Sequence, residues 1–213
     1  MNEELALRIS EKDIDIEYYA SLCINNENFR KDIVDLTINH PHIMVYYHGY
    51  YILDKSTGLK PKLFYKYWHD FTKLLKHKNT YHRQIGIVIL SNLSKVDNNN
   101  HFSEIFNDYL NCLYDQKILI GEYCVKGLNK IIKNKPEYKD KIIDELLKHE
   151  EKTLFNEKQE ALLDYYILEL IEDNCNENMK DDKIIEFIHG KQESISPKTK
   201  KKSRELIKKY GIK

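Results

Sequence analysis

A spacing of 38 residues relates two stretches within 81–136 of this chain. Shifting 81–93 onto 118–132 places Gly86 on Cys124, Leu90 on Leu128 and Leu93 on Ile131. A period of this length, filled by two helices and two turns, is typical of stacked helical arrays. The spacing therefore favours a repeat of helical pairs over other folds.

The series extends in both directions from this central duplication. Small residues recur at intervals of 37, 38, 37 and 42, at Gly49, Gly86, Cys124, Ala161 and Ser203. A small side chain lets two helix axes approach, so we predict that the second helix of each pair crosses the first here. The residues four later, predicted to fill the neighbouring groove, are Leu53, Leu90, Leu128, Tyr165 and Ile207.

The apolar periodicity predicts five helical pairs, because three-and-four spacing marks one face of a helix. The predicted pairs are 27–39 with 43–53, 63–75 with 81–93, 102–114 with 118–132, 138–148 with 157–171, and 184–188 with 196–210. We predict one domain over 1–213: short cap helices in 1–25, regular pairs in 27–175 and a degenerate basic pair in 179–213.

Composition agrees with helices joined by short loops. The chain is 41% hydrophobic, which allows a substantial core, and its 7 Gly and 4 Pro supply few turn signals. The 16 Tyr raise β propensity and leave a strand-based fold open at this level.

With these repeats, residues 27–210 resemble HEAT-repeat proteins of the armadillo type. The stretch 118–147, with its Asn-Lys-Pro-Glu break, is similar to small HEAT-like proteins of bacteria and archaea. The resemblance implies an all-α, right-handed α-α superhelix of about five pairs, with second helices along the concave face. Arg83 stands where many HEAT repeats carry an arginine that ties helix to turn, whereas Tyr46, Gly121 and Lys158 stand there in other repeats.

The four cysteines are distant in sequence and form no Cys-x-x-Cys pair, which excludes a zinc ribbon or thioredoxin motif. The chain shows neither an export signal nor 18 uninterrupted apolar residues. We therefore expect free thiols in a reducing cytoplasm, and no membrane association.

Positive and negative residues balance at 34 each, so no global field attracts nucleic acid. Two stretches are nevertheless locally basic: 60–83 has seven Lys or Arg against Asp70, and 191–213 has nine against Glu193 and Glu205. The ordinary interpretation of each basic stretch is a solvated helix face. The more specific interpretation is a patch that binds phosphate groups.

Candidate chemistry is sparse. The histidines cluster in two groups, His40, His42 and His48, and His69, His77 and His82, without the spacing of a metal site. Some HEAT proteins hydroxylate substrates at a di-iron centre held by several His-Glu dipeptides, but the chain has one such dipeptide, His149-Glu150.

Trp68 and Asp70 resemble the aromatic and acidic residues that HEAT-like glycosylases use on alkylated DNA. Packing of Trp68 in the core is the favoured interpretation. We expect no cofactor, no metal and no catalytic residue.

A polar stripe is the best candidate for a binding face. The stripe consists of the residue two positions before each small residue and the residue five positions after it. These two residues are seven apart and therefore lie on the same side of a helix. Its members are Tyr47, Asp54, Gln84, Ser91, Glu122, Asn129, Gln159, Tyr166, Lys201 and Lys208. The tyrosines at 46, 47, 50 and 51 add an aromatic cluster that suits either a binding surface or packing under a neighbouring helix.

The sequence therefore predicts a non-catalytic module that binds another protein through the concave face of a HEAT-like solenoid. The alternative is a nucleic-acid-binding HEAT-like protein. In its more specific form, this alternative relates the chain to glycosylases that repair alkylated DNA. An ordinary solvated surface without a ligand is the competing interpretation of the stripe.

Overall fold

A computed structural model of the chain describes residues 2–175 and 181–212. In these residues every regular element is helical, which confirms the all-α prediction and excludes the strand-based alternative. The positions 179, 180 and 213 of the predicted C-terminal pair lie outside the described residues. None of the described helices combines the length and the apolar character needed to cross a bilayer.

The chain divides into two compact units, Met1–Ile105 and Phe106–Lys213. The first contains α1 (Glu3–Ile9), α2 (Ile16–Asn25), α3 (Glu27–Asn39), α4 (Ile43–Leu59), α5 (Trp68–Leu74) and α6 (Thr80–Leu93). The boundary falls within α7 (Phe102–Asn111). The second contains α8 (Ile118–Asn134), α9 (Lys139–Leu147), α10 (Glu157–Asn174), α11 (Asp182–Gly190) and α12 (Pro197–Tyr210). A single solenoid domain over 1–213 stays a prediction.

Polar side chains set most helix starts by accepting hydrogen bonds from the first free backbone N–H groups. The capping residues are Asn2, Asp15, Asn26, Asn79, Asn156, Asp181 and Ser196. At α10, Asn156 and Gln159 satisfy each other's backbone N–H in a full capping box.

In the first unit, α4 packs against α1, α2, α3 and α6, and α5 packs against α6. The predicted cap helices are present as α1 and α2, and Leu5, Ile9, Ala20 and Cys23 are buried there. Both helices pack against α4, the second helix of the first pair.

In the second unit, α10 packs against both α8 and α12, while α9 contacts α8 and α11, and α11 contacts α12. Second helices therefore neighbour second helices, and first helices neighbour first helices. The buried side chains of α8 and α10 include Cys124, Leu128, Leu163 and Ile167.

The repeated small residues mark contacts between the helices of a pair. A Cβ added at Gly49 would lie 2.2 Å from Thr37 Oγ1, and one at Gly86 would lie 3.0 Å from Leu74 Cβ. The Cys124 thiol donates to the Tyr109 carbonyl at 3.3 Å. In the last pair, the Ser203 hydroxyl donates to the Ile188 carbonyl at 2.6 Å. These four contacts confirm the predicted crossings, and Ala161 is buried.

Two predicted boundaries are wrong. The second helix of the first pair continues from 53 to Leu59, where Ser56 and Thr57 donate to the carbonyls of Ile52 and Leu53 and so satisfy their hydroxyls within the helix. The predicted helix 63–75 is broken. It begins as 3₁₀ turns at Pro61–Leu63 and Tyr65–Tyr67 and becomes α-helical only at Trp68.

Candidate functional site

The stripe residues of the first unit differ in accessibility. Tyr47 is exposed on α4, whereas Gln84 and Ser91 on α6 are buried. The Ser91 hydroxyl donates to the Val88 carbonyl at 2.7 Å. The prediction of a partner-facing position is therefore wrong for Gln84 and Ser91, because α6 is buried around most of its circumference.

Asp54, another member of the stripe, connects two second helices. Its Oδ1 accepts a hydrogen bond from Asn92 Nδ2 at 2.9 Å, and the same nitrogen lies 3.0 Å from Thr57 Oγ1. Asp54 and Thr57 lie on α4, and Asn92 lies on α6. This carboxylate therefore already has an internal partner that fixes the spacing of α4 and α6.

In the second unit, two stripe residues hold α10 in place. Asn129 on α8 donates to Asp173 Oδ2 at 2.9 Å and accepts from Asn174 at 2.8 Å. Gln159 belongs to the capping box of α10. Both residues are half-buried and have structural roles.

The other four stripe residues lie in charged surroundings. The Lys126 ammonium sits 4.2 Å from the centre of the Tyr166 ring. Partial burial, together with the Glu122 carboxylate, raises the pKa of Tyr166. Lys201 pairs with Glu205 at 3.8 Å, and Lys208 is exposed on α12.

Tyrosines from α4 and α6 form two groups of ring contacts in the first unit. We call the two groups together the tyrosine surface; its members are Tyr46, Tyr47, Tyr50, Tyr51 and Tyr81. Ring centroids are 6.0 Å apart for Tyr46 and Tyr81, 5.0 Å for Tyr47 and Tyr51, and 4.8 Å for Tyr50 and Tyr51. Tyr47, Tyr51 and Tyr81 are 37%, 40% and 41% exposed, whereas Tyr46 and Tyr50 are buried. Three of the five tyrosines are therefore exposed and two belong to the core.

The C-terminal basic segment is largely neutralised by neighbouring carboxylates. Lys202 and Lys209 both contact Glu172, at 2.5 and 2.8 Å, and their hydrogen bonds lower the pKa of that carboxyl. Lys200 and Arg204 likewise share Glu193, at 2.9 and 2.6 Å. A phosphate group would have to compete with these carboxylates.

The basic stretch 60–83 shows the same pattern. Lys66 pairs with Glu27, and Lys73 lies 3.1 Å from Asp70. Arg83 donates to the carbonyls of His77 and Lys78 at 2.8 and 3.1 Å. Arg83 thus ties α6 to the turn before it, as the HEAT resemblance implies, and these cations already have partners.

The two histidine groups do not assemble a metal-binding cluster among residues 2–175 and 181–212. The rings of His77 and His82 stack at 4.4 Å. Burial and then the neighbouring His77 lower the pKa of His82, whose Nε2 donates to the Ile38 carbonyl at 3.1 Å. His48 bonds the Ile9 carbonyl through Nδ1 at 2.6 Å. These histidines join backbone segments of the first unit.

Trp68 is a core residue, as its apolar surroundings in the sequence predict. It is 1% exposed and its ring lies 5.7 Å from that of Tyr65. Asp70 is paired with Lys73. The likeness of Trp68 and Asp70 to residues of alkylated-DNA glycosylases therefore has no support from the placement of Trp68.

Sequence reasoning missed a buried polar cluster in the second unit. The polar cluster consists of His149, Glu150, Asp164 and Lys191. Lys191 Nζ lies 3.0 Å from Asp164 Oδ2 and also contacts Glu150, and His149 Nε2 lies 3.3 Å from Asp164 Oδ1. His149 and Asp164 are 0% and 3% exposed.

The repeat register contains a signal for this cluster. Three residues after each small residue the chain has Ile52, Ile89, Gly127, Asp164 and Leu206. The other four of these positions are buried and non-polar, so a carboxylate in this register must have partners in the core. Asp164 is therefore the one polar residue in this register.

Comparisons of the chain with protein-family models, with curated proteins and with solved structures found no match.

Proposed function

We propose that this protein is a non-catalytic, HEAT-like interaction module that binds another protein through the tyrosine surface of its first unit. The observation that carries the proposal is the exposure of Tyr47, Tyr51 and Tyr81 on consecutive second helices. Tyrosine is enriched at protein interfaces because its ring offers a large apolar area and its hydroxyl a hydrogen bond.

The underlying structure supports a rigid binding surface. Tyr46 and Tyr50 are buried and contact the rings of Tyr81 and Tyr51, and α4 is held by contacts with α1, α2, α3 and α6. A surface that is ordered before binding loses little conformational entropy when a partner docks. Tyr47 is the member of the predicted polar stripe that lies within this surface.

The HEAT-like part of the proposal rests on the helical pairs and on the small residues between their helices. Gly49, Gly86, Cys124 and Ser203 each contact the first helix of their own pair. Such pairs, stacked in a superhelix, would expose their second helices along one face. The nucleic-acid alternative stays a prediction that we do not favour, since carboxylates already pair many of the basic side chains.

The test is capture of a binding partner from the native cell extract, followed by measurement of affinity for the purified partner. We expect Tyr47→Ala and Tyr51→Ala each to weaken binding by about tenfold or more, the loss typical of an interface hot spot. The matched control is Tyr18→Ala, which removes a 57% exposed tyrosine of α2 outside the tyrosine surface. Equal affinity of all three variants and the wild type would refute the proposal.

A salt titration separates the nucleic-acid alternative from this one. Phosphate contacts release counterions, so binding to DNA or RNA weakens steeply between about 50 and 200 mM salt. We expect no retention of DNA or RNA at the low end of that range. Retention that is lost on reversing the charge of Lys201 and Lys208 would favour the alternative.

A further inference from the structure

The polar cluster of the second unit contains two buried atoms that face each other without an aligned hydrogen bond. His149 Nε2 and Asp164 Oδ1 are both shielded from solvent, and their 3.3 Å approach lacks hydrogen-bond geometry. Buried polar atoms without a hydrogen-bond partner are rare in native proteins because desolvation is costly. A cation placed between the two atoms would satisfy both of them.

The tautomer of His149 follows from its other nitrogen. Nδ1 lies 2.9 Å from the Leu146 carbonyl oxygen, which can only accept, so Nδ1 carries the proton. In the neutral ring Nε2 therefore has a free lone pair directed away from Leu146. An Nδ1–H held by a backbone carbonyl is a common way to orient a histidine that binds a metal through Nε2.

We infer that His149, Asp164 and Glu150 form a binding site for one divalent transition-metal ion, with zinc as the best fit. Two donors on a tetrahedral zinc, each about 2.0–2.1 Å from the ion, lie roughly 3.3 Å apart. The separation of His149 Nε2 and Asp164 Oδ1 is 3.3 Å. The distance between His149 Nε2 and Asp164 Oδ1 therefore matches the distance between two ligand atoms of one zinc ion.

Glu150 supplies the third ligand. One ligand atom from each of the three residues lies within 4.8 Å of the others. The Glu150 side chain is 52% exposed, so a change of rotamer can bring its carboxylate closer to the ion. One imidazole and two carboxylates suit zinc and also manganese or ferrous iron.

Lys191 positions the carboxylates without using all their oxygens. Its ammonium contacts Asp164 through Oδ2 and Glu150 through Oε1, which leaves Asp164 Oδ1 and the second Glu150 oxygen for an ion. With neutral His149, the two carboxylates and the ammonium sum to one negative charge. A divalent cation is therefore attracted despite the nearby ammonium.

An acidic cleft of about 240 Å³ adjoins the site. Glu150, Asp164 and Lys191 line it together with Glu157, Glu160 and Glu193, whereas His149 does not. The carboxylates in this lining raise the local concentration of cations.

The test uses the full chain after dialysis against a chelator, titrated with Co²⁺ as a spectroscopic probe. We expect one equivalent to bind with the visible absorption of a tetrahedral site, and Zn²⁺ to displace it, because zinc binds such donors more tightly. Glu150→Gln should weaken binding by about tenfold or more, and Asp164→Asn should do so at least as strongly.

Glu151→Gln is the matched control, since Glu151 is the exposed neighbour in the same turn and is not one of the three ligands. Its cobalt affinity should equal that of the wild type. Glu150→Gln changes an exposed side chain, so its result stands even if Asp164→Asn does not fold. Absence of saturable cobalt or zinc binding, or equal affinity in Glu150→Gln and Glu151→Gln, would overturn the inference. The outcome is independent of the proposed function, which concerns the other unit.

Discussion

Gly86 lies against Leu74: a Cβ added to Gly86 would be 3.0 Å from Leu74 Cβ and 3.1 Å from the Phe71 carbonyl oxygen. Backbone atoms of α5 cannot move aside as a flexible side chain can. We therefore predict that Gly86→Ala destabilises the protein by about 1–3 kcal/mol through overpacking. Chemical denaturation monitored by circular dichroism measures the change in the free energy of unfolding.

Gly58 provides the matched control. It lies in the last turn of α4, and nothing lies within 4 Å of a Cβ added there. Since alanine has the higher helix propensity, Gly58→Ala should leave stability unchanged or raise it by up to about 1 kcal/mol. A similar loss in both variants would mean that the close approach at Gly86 is not the cause.

The buried pair of Asp164 and Lys191 makes a second prediction. Asp164→Asn leaves Lys191, which is 9% exposed, with the exposed carboxylate of Glu150 as its remaining counter-charge. Removing one partner of a buried ion pair typically costs about 3–5 kcal/mol when the other charge is left uncompensated. Because Glu150 still pairs with Lys191, we expect a loss at or below the lower end of that range in urea denaturation of the metal-free protein.

A double-mutant cycle checks that the loss comes from the pair. Lys191→Met keeps much of the side-chain volume and removes the charge. In the combined variant the total loss should be smaller than the sum of the single losses, by about 0.5–3 kcal/mol. Additive losses would show that the two residues act separately.

The buried thiol of Cys23 should make the stability of the protein depend on pH above 9. Burial raises the pKa of its thiol from 9.0 to about 12, against smaller opposing effects of Ser56 and Arg30. The unfolded thiol ionises first, so this contribution is complete below pH 9 and is lost as pH rises toward 12. The free energy of unfolding should fall with pH above 9, by at most about 1.4 kcal/mol per pH unit for one group.

Cys23→Ala removes this titrating group. Its stability should fall less steeply with pH above 9 than that of the wild type, whatever its stability at pH 7. Other buried cysteines contribute to both proteins, so the difference between the two slopes isolates Cys23. Equal slopes would contradict the assignment.

The buried imidazole of His82 should make the stability of the protein fall as the pH is lowered, in the opposite direction to the effect of Cys23. Its lowered pKa means that the folded ring resists protonation, while the unfolded ring titrates near 6.5. This contribution to stability is present above about pH 6.5 and is lost as pH falls toward the folded pKa. The imidazole C2–H resonance in NMR should titrate with a midpoint below 6.5.

His77 tests one cause of that shift. Replacing His77 with Asn removes the electrostatic effect of that ring on His82, so the midpoint of His82 should rise toward 6.5. Because burial is the larger cause, the midpoint should stay below that value. An unchanged midpoint would show that the stacked ring does not affect His82.

Local patterns accounted for much of the fold. Three-and-four spacing located the helices, and the small residues located the contacts at Gly49, Gly86, Cys124 and Ser203. Boundaries such as the end of α4 at Leu59 were harder, since hydroxyl groups that usually favour turns can bond within the helix. Arg83 matched the role that its HEAT resemblance implies.

The candidate sites were less predictable. Periodicity gives the face of a helix but not what covers that face, so it predicts surface positions for Gln84 and Ser91, which are buried. The tyrosine surface was visible as a cluster, yet which of its rings are exposed depends on the packing around α4 and α6.

The sequence by itself determined the helical pairs and their small crossing residues, because both follow from the period of the α-helix and from side-chain size. Only the tertiary structure decided which polar groups meet. His149, Asp164 and Lys191 are far apart in the chain and have no common motif, and long-range packing alone brings them together. The same packing buries Ser91 and leaves Tyr47 exposed, although each lies on a second helix and both belong to one predicted stripe.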